Sequence, residues 1–339
     1  MERKAGKARS VIFALIVTSI LCISGCEEDI PDVLDPNSQE NTYLSPHHSL
    51  KWSPDSSMLA YIFDNNYLVV KDIETDELRQ LTGTGFYDEP TWSPDGVMLA
   101  YSSDAHRMRS DIYVKNADGS TVAKRITSDT AADDRPRWSP DGTKIAFHSH
   151  RTKSRDIWIR NADGSGEDIA VTTDPTADQN PEWSPDGARL AFESKRAGNF
   201  DIWILKVGSA DPPVRITVGE ASDRIPMWSP DGSRIAFQSD RTGAQGIWVK
   251  NADGTGDAIQ VSTGHLSSIM HDWSSDGRWL AFTSGDKVFA KSSDGTGDSV
   301  EIGDGLEPRW SPDGTRLAFV AWIENQYEVQ IIELPDELK

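Results

Sequence analysis

Thiols are nearly missing from this sequence. Its 339 residues include two cysteines, Cys22 and Cys26, both close to the N-terminus. Everything after residue 26 therefore has no disulfide to brace it and no thiolate nucleophile. Histidine is sparse, with seven residues scattered along the chain, and no cysteine is at hand to help them form a zinc site. Helical periodicity is absent after residue 41. No Gly-x-Ser-x-Gly elbow, Walker loop or Rossmann glycine pattern occurs, so common hydrolase and nucleotide-binding chemistries lack their parts. Positive charge is short as well: 34 Lys and Arg face 54 Asp and Glu, for a net charge of −20. Four of the basic residues, Arg3, Lys4, Lys7 and Arg9, precede residue 26, so the remainder is more acidic still. That balance excludes nucleic acid and adsorption to anionic headgroups. It favours solubility and basic partners.

Long hydrophobic runs are limited to Val11–Ile23, too short to span a bilayer comfortably. A basic start, this apolar stretch and the small residues after it form the pattern of a secretory signal over residues 1–25. Ile23-Ser24-Gly25-Cys26 resembles a bacterial lipobox. That resemblance implies cleavage before Cys26 and lipidation of its thiol and new amine, with several acyl chains giving durable anchoring. Residues 26–41 are rich in Asp, Glu, Pro and Asn and read as a flexible acidic tether. Acid just after a lipidated Cys resembles surface-export signals in some bacteria and inner-membrane retention signals in others.

What the chain has in abundance is one turn. Trp-Ser-Pro-Asp-Gly, or a close variant, begins at Trp52, Trp92, Trp138, Trp183, Trp228, Trp273 and Trp310, at intervals of 40, 46, 45, 45, 45 and 37 residues. Such a period marks a repeat architecture. Pro presets the second turn position, and Gly accepts the left-handed conformation that closes a hairpin. Each turn is followed by an apolar triplet with Ala at its centre, such as Ile145-Ala146-Phe147 or Leu190-Ala191-Phe192. An uninterrupted apolar run is a strand covered on both faces, and an invariant central Ala marks a neighbour too close for a larger side chain. Two further strands follow in each repeat, joined by Gly-rich turns such as Ala162-Asp163-Gly164. The expectation is an all-β propeller over residues 42–339, of seven four-stranded blades, with six as the alternative. Three strands are legible in the last repeat. The missing one is expected from Asn41–Ser45, closing the ring by pairing the two termini.

These repeats resemble the TolB-type propeller family, whose hallmark is a Pro-Asp-Gly hairpin after an aromatic. The resemblance covers about residues 42–334. It implies a propeller, usually of six blades in TolB itself and more in some relatives. TolB also carries an α/β domain before its propeller, where this sequence has the tether, so a role in docking a peptidoglycan-associated lipoprotein is not carried over.

The seven Trp residues are expected to be structural hinges. Ligands are expected on the opposite rim, where connections between second and third strands vary. Basic side chains gather there: Arg107, Arg109, His150, Arg151, Arg155, Arg196 and Arg241. Arg151, Arg196 and Arg241 recur at equivalent positions, which also suits a structural pairing with an acid such as Asp156 or Asp201. Residues three before each Trp are expected to face the channel: Ser49, Glu89, Arg135, Asn180, Ile225, Met270 and Glu307. This column varies where the others hold. No catalytic residue and no metal ligand is assigned, and no cofactor is implied; Ca²⁺ or another divalent ion is the alternative kept open.

The sequence therefore points to a lipid-anchored, extracytoplasmic scaffold, monomeric, binding an envelope protein or glycan, at the outer membrane or retained at the inner. One alternative is a metal-assisted polysaccharide lyase. Propeller lyases acting on oligogalacturonate gather histidines and a Gln at the ring centre, and His271 and Gln179 are placed for such a cluster. The other alternative is a sensor of a small ligand.

Overall fold

The computed structural model describes residues 49–63, 67–85, 87–104, 109–152, 154–262, 271–324 and 326–339. The expectations on residues 1–41, including lipidation of Cys26, and the closing strand at Asn41–Ser45 lie outside these, as do Arg107 and Met270. Seven antiparallel sheets follow one another along the chain: blade 1 (Lys51–Gln80), blade 2 (Tyr87–Arg125), blade 3 (Asp133–Ala170), blade 4 (Asp178–Arg215), blade 5 (Asp223–Gln260), blade 6 (His271–Asp304) and blade 7 (Leu306–Glu333). Six have four strands in chain order, and blade 7 has three among the described residues. A short 3₁₀ turn at Asp336–Leu338 is the sole helical element there.

The repeated turn is held by its own side chains. In every copy the Ser hydroxyl donates to the Asp carboxylate two residues on, at 2.5–2.7 Å. The same Ser oxygen accepts the amide that opens the second strand, at 2.8–2.9 Å. The Ser hydroxyl, the largest influence, thereby holds the Asp231 carboxyl down to about 2.

Blades pack as the Ala column requires. Seven apolar clusters occur, each joining one blade to the next. Ala191 of blade 4 sits against Trp228, Ile235 and Phe237 of blade 5. Every central Ala is fully buried, so a larger residue there would force neighbouring sheets apart, at about 1–3 kcal/mol. The Trp indoles add a stitch. Six of the seven donate to the carbonyl just before the motif Trp of the preceding blade, at 2.9–3.2 Å. Trp310 instead donates its backbone amide to Asp272 at 2.8 Å. The last blade meets the first in the same way, since Ala318 and Val320 pack on Trp52, Leu59 and Tyr61. Trp52 donates its indole N–H to the Arg309 carbonyl at 3.0 Å, which closes the ring.

Candidate functional site at the channel mouth

Among the described residues, five inner strands carry a register shift against the second strand, in blades 2, 3, 4, 5 and 7. Each inserts one extra residue, a β-bulge. The sequence supplies a Pro at each: Pro90, Pro136, Pro181, Pro226 and Pro308. A residue with no amide proton is tolerated where the ladder is already broken. The residue before each Pro adopts the left-handed conformation: Glu89 (φ 49°), Arg135 (57°), Asn180 (57°), Ile225 (51°) and Glu307 (56°). Ser49 does the same in blade 1, at 51°. This is the column expected to face the channel. A left-handed side-chain-bearing residue costs about 1–2 kcal/mol, and for β-branched Ile225 the conformation is an outlier. Beside the bulge, Glu89, Arg135 and Asn180 meet residues of neighbouring blades.

They join a second column that the sequence reading passed over, the residue just before each Trp: Lys51, Arg137, Glu182, Asp272 and Arg309 carry its charges. A signal for it existed, because strand alternation turns this residue away from the Trp. The two columns interlock across blades 2, 3 and 4. Arg137 reaches Glu89 at 2.9 Å and Glu182 at 3.0 Å. Arg135 reaches Glu89 at 3.3 Å and the Asn180 amide oxygen at 2.7 Å. Burial alone would raise the Glu89 carboxyl; Arg137 and Arg135 outweigh it and hold the group well below the usual range. Burial in the channel, with Arg309 and Arg137 nearby, pushes the Lys51 ammonium down to about 8. Between blades 7 and 1, Glu307 accepts the Ser49 amide at 3.0 Å.

A third polar group was also missed. Glu193 follows the apolar triplet of blade 4 and is fully buried. It accepts from Gln179 at 2.6 Å, Arg224 at 3.0 Å and the Ile225 amide at 2.8 Å. The same offset holds Ser102, His148, Gln238 and Thr283 in other blades. A polar residue recurring in an apolar strand was the available signal. His148 is buried, and desolvation pushes its imidazole down to about 3. His150 is exposed and accepts from Arg155 at 2.8 Å, and Arg155 also donates to Gln179 at 2.6 Å.

The basic loop residues divide into two sets. Arg109 is exposed. Arg151, Arg196 and Arg241 are instead built into their own blades. They do not pair with Asp156 or Asp201, as expected from sequence, but with Asp133 (2.6 Å), Asp178 (2.6 Å) and Asp223 (2.9 Å), the first residue of each inner strand. Each guanidinium also lies over two aromatic rings, such as Phe237 at 5.1 Å and Trp248 at 4.7 Å for Arg241. The correct partner is set by strand pairing, since Asp223 lies opposite Ser239, two residues before Arg241. Asp201 is held by Arg215 at 2.7 Å.

Among the described residues, no three His, Cys, Asp or Glu side chains gather as a metal ion would require. His271 is buried beside the Ala236 backbone, and burial pushes it down to about 3. Gln179 serves Glu193 and Arg155. The Asp-Gly loops close as hairpins, with Asp163 accepting the Ser165 amide and hydroxyl.

No curated protein matches the sequence. TolB from Acinetobacter baumannii superposes with a TM-score of 0.56 at 21% identity, over 77% of this chain and 65% of that one, so this chain spans less than two thirds of its length. A TolB described as putative, from Agrobacterium tumefaciens, gives 0.52 at 22% identity, over 85% and 90% of the two chains. An oligogalacturonate lyase in complex with manganese gives 0.70 at 15% identity, over 85% and 88%. At these identities the likeness is one of fold. The sequence itself matches the TolB beta propeller domain over residues 36–177 and 165–302. That match takes in most of the seven blades, and the chain belongs to the TolB beta propeller domain family.

Proposed function

We propose that this protein is an envelope scaffold that binds a protein or glycan partner at the channel mouth. The observation that carries the reading is the left-handed residue repeated beside the bulge. Among the described residues, five bulged blades and blade 1 hold a side-chain-bearing residue in that conformation, and its identity changes along the series. Glycine would be at ease at every one of these positions. Keeping Glu, Arg, Asn and Ile there spends stability on side chains that vary, as a recognition surface does. The groups offered are carboxylate, guanidinium, amide and hydroxyl, which suit a polar loop or a hydroxyl-rich glycan. Membership in the TolB propeller family supports a binding role and an extracytoplasmic setting, and the lipobox-like Ile23–Cys26 supports a lipid anchor.

Two linked measurements test this. Cys26→Ser is expected to move the protein from the membrane to the soluble fraction; continued membrane fractionation removes the anchor. Wild-type protein in detergent is expected to retain a defined envelope component that the Arg135→Ala variant, changed at a partly exposed side chain, loses at unchanged melting temperature. Equal retention by both removes the channel mouth as the binding surface.

A further inference from the structure

Blade 2 breaks a pattern that blades 3, 4 and 5 share. In those three, the space between the outer part of the blade and its predecessor is occupied by an Arg guanidinium. It is stacked on the rings of the second and third strands and tied to the Asp that opens the inner strand. In blade 2 the Asp position holds Tyr87, and the two ring positions hold Tyr101 and Tyr113. Three phenols replace an ion pair over Phe and Trp. Where the guanidinium would lie there is a side-opening cleft of about 510 Å³, walled on one side by blade 2 and on the other by Leu81–Gly83, just after blade 1.

We propose that this cleft is a lateral subsite for a neutral pyranose unit of a glycan. Its volume is within the range of small-molecule sites. The Tyr101 and Tyr113 rings lie nearly parallel, at 13° and 5.9 Å between centroids, and Tyr87 stands edge-on to Tyr101 at 5.8 Å. Tyr101 is at the buried floor, while Tyr87 and Tyr113 are half-buried. A sugar ring has an apolar face of C–H groups and a rim of hydroxyls. Tyrosine faces match the first, and phenol and hydroxyl groups of Tyr113, Thr82 and Ser103 match the second. Burial raises all three phenols, so they remain proton donors at neutral pH.

Charge decides between a sugar and the other ligand that aromatic clusters favour, an organic cation. Lys115 lines the same cleft and donates to the Leu81 carbonyl at 2.6 Å, which fixes one wall against the other. An ammonium there repels a cationic guest. The proposal takes up the glycan half of the reading above but stands on different residues, so the two can fail separately.

The test is calorimetric titration of the full chain in detergent with neutral trimers of glucose, mannose and N-acetylglucosamine. Choline and trigalacturonate serve as the cationic and anionic arms. At least one neutral trimer is expected to bind with a Kd of about 1 mM or tighter. Tyr113→Ala is expected to weaken it about tenfold or more, and Tyr113→Phe by about threefold or less, because the ring face is kept. Val122→Arg crowds the cleft mouth from a position that is 90% exposed. It is expected to weaken binding without lowering the melting temperature, which guards against a Tyr113→Ala chain that fails to fold. Arg135→Ala is expected to leave this binding unchanged. No binding by any neutral trimer, binding indifferent to both Tyr113→Ala and Val122→Arg, or preference for choline would overturn the subsite. Loss in Arg135→Ala alone would move sugar binding to the channel mouth and likewise overturn it.

Discussion

The two rims of the propeller use the same unusual backbone state and fill it oppositely. At the turn rim the left-handed position is glycine in six motif copies, Gly96, Gly142, Gly187, Gly232, Gly277 and Gly314, with φ of 68–74°. At the channel mouth the left-handed position is Ser, Glu, Arg, Asn, Ile or Glu, at 49–57°. The backbone demand is alike, so what differs is whether a side chain is wanted. At the turn rim each glycine faces the Pro of the preceding turn or a similarly close neighbour, and nothing needs to project. At the mouth a side chain is retained despite the strain, and its identity varies. Repetition at one rim reports packing; variation at the other is what the proposed recognition surface calls for.

The largest expected break comes from the tryptophan that separates the two rims. Trp183 is buried among Ala146, Leu190 and Phe192, and its indole is tied to the Arg137 carbonyl. Trp183→Ala is expected to cost about 3–5 kcal/mol in denaturant unfolding; an unchanged midpoint would contradict the stitching role. Next is the acid response at the seam between blades 5 and 6. His271 is held at about 3 in the fold, against about 6.5 unfolded. Between these values the unfolded chain carries a proton that the folded chain does not. Stability should therefore fall as pH drops from about 6.5 towards 3, by about 2 kcal/mol at pH 5 from this residue. Thermal melts of His271→Gln should show a flatter slope across that window, and an identical slope would mean the imidazole titrates normally.

Smaller, but closest to the comparison, is a matched pair. The Cβ of Gly187→Ala would meet Pro140 at an ordinary 3.6 Å, so its cost is backbone conformation alone, about 1–2 kcal/mol. Ile225→Gly, at the same backbone state in a half-buried site, should stabilise by about 0.5–1 kcal/mol, as strain relief exceeds the lost side-chain contact. If Ile225→Gly destabilises instead, its side chain is there for packing and the contrast between the rims fails at that blade.

Much of the frame was legible because it is periodic. The spacing of the tryptophans gave the blade count, and Ala146 or Ala191 at the centre of each triplet announced sheets packed face to face. The site was legible only in outline. Glu89, Arg135 and Asn180 could be assigned to the axis by alternation, but their coupling to Arg137 and Glu182 depends on a bulge whose register the sequence does not state. Arg151, Arg196 and Arg241 were legible as candidates for pairing with an acid, but not with the right one, because Asp133, Asp178 and Asp223 lie 18 residues away and meet them only across a strand pair. Tyr101 was legible as the end of an apolar triplet, but its grouping with Tyr87 and Tyr113 was not visible until the sheet laid them side by side.

By itself, then, the sequence determined the repeated unit: turn chemistry at Ser-Pro-Asp-Gly and apolar strands bounded by small residues are local, set by side chains within a few positions of one another. Tertiary structure decided which charges meet, which aromatic cluster is left open, and which left-handed side chains meet neighbouring blades. Those outcomes depend on distances between blades, and such distances exist only once the seven sheets have packed into a ring.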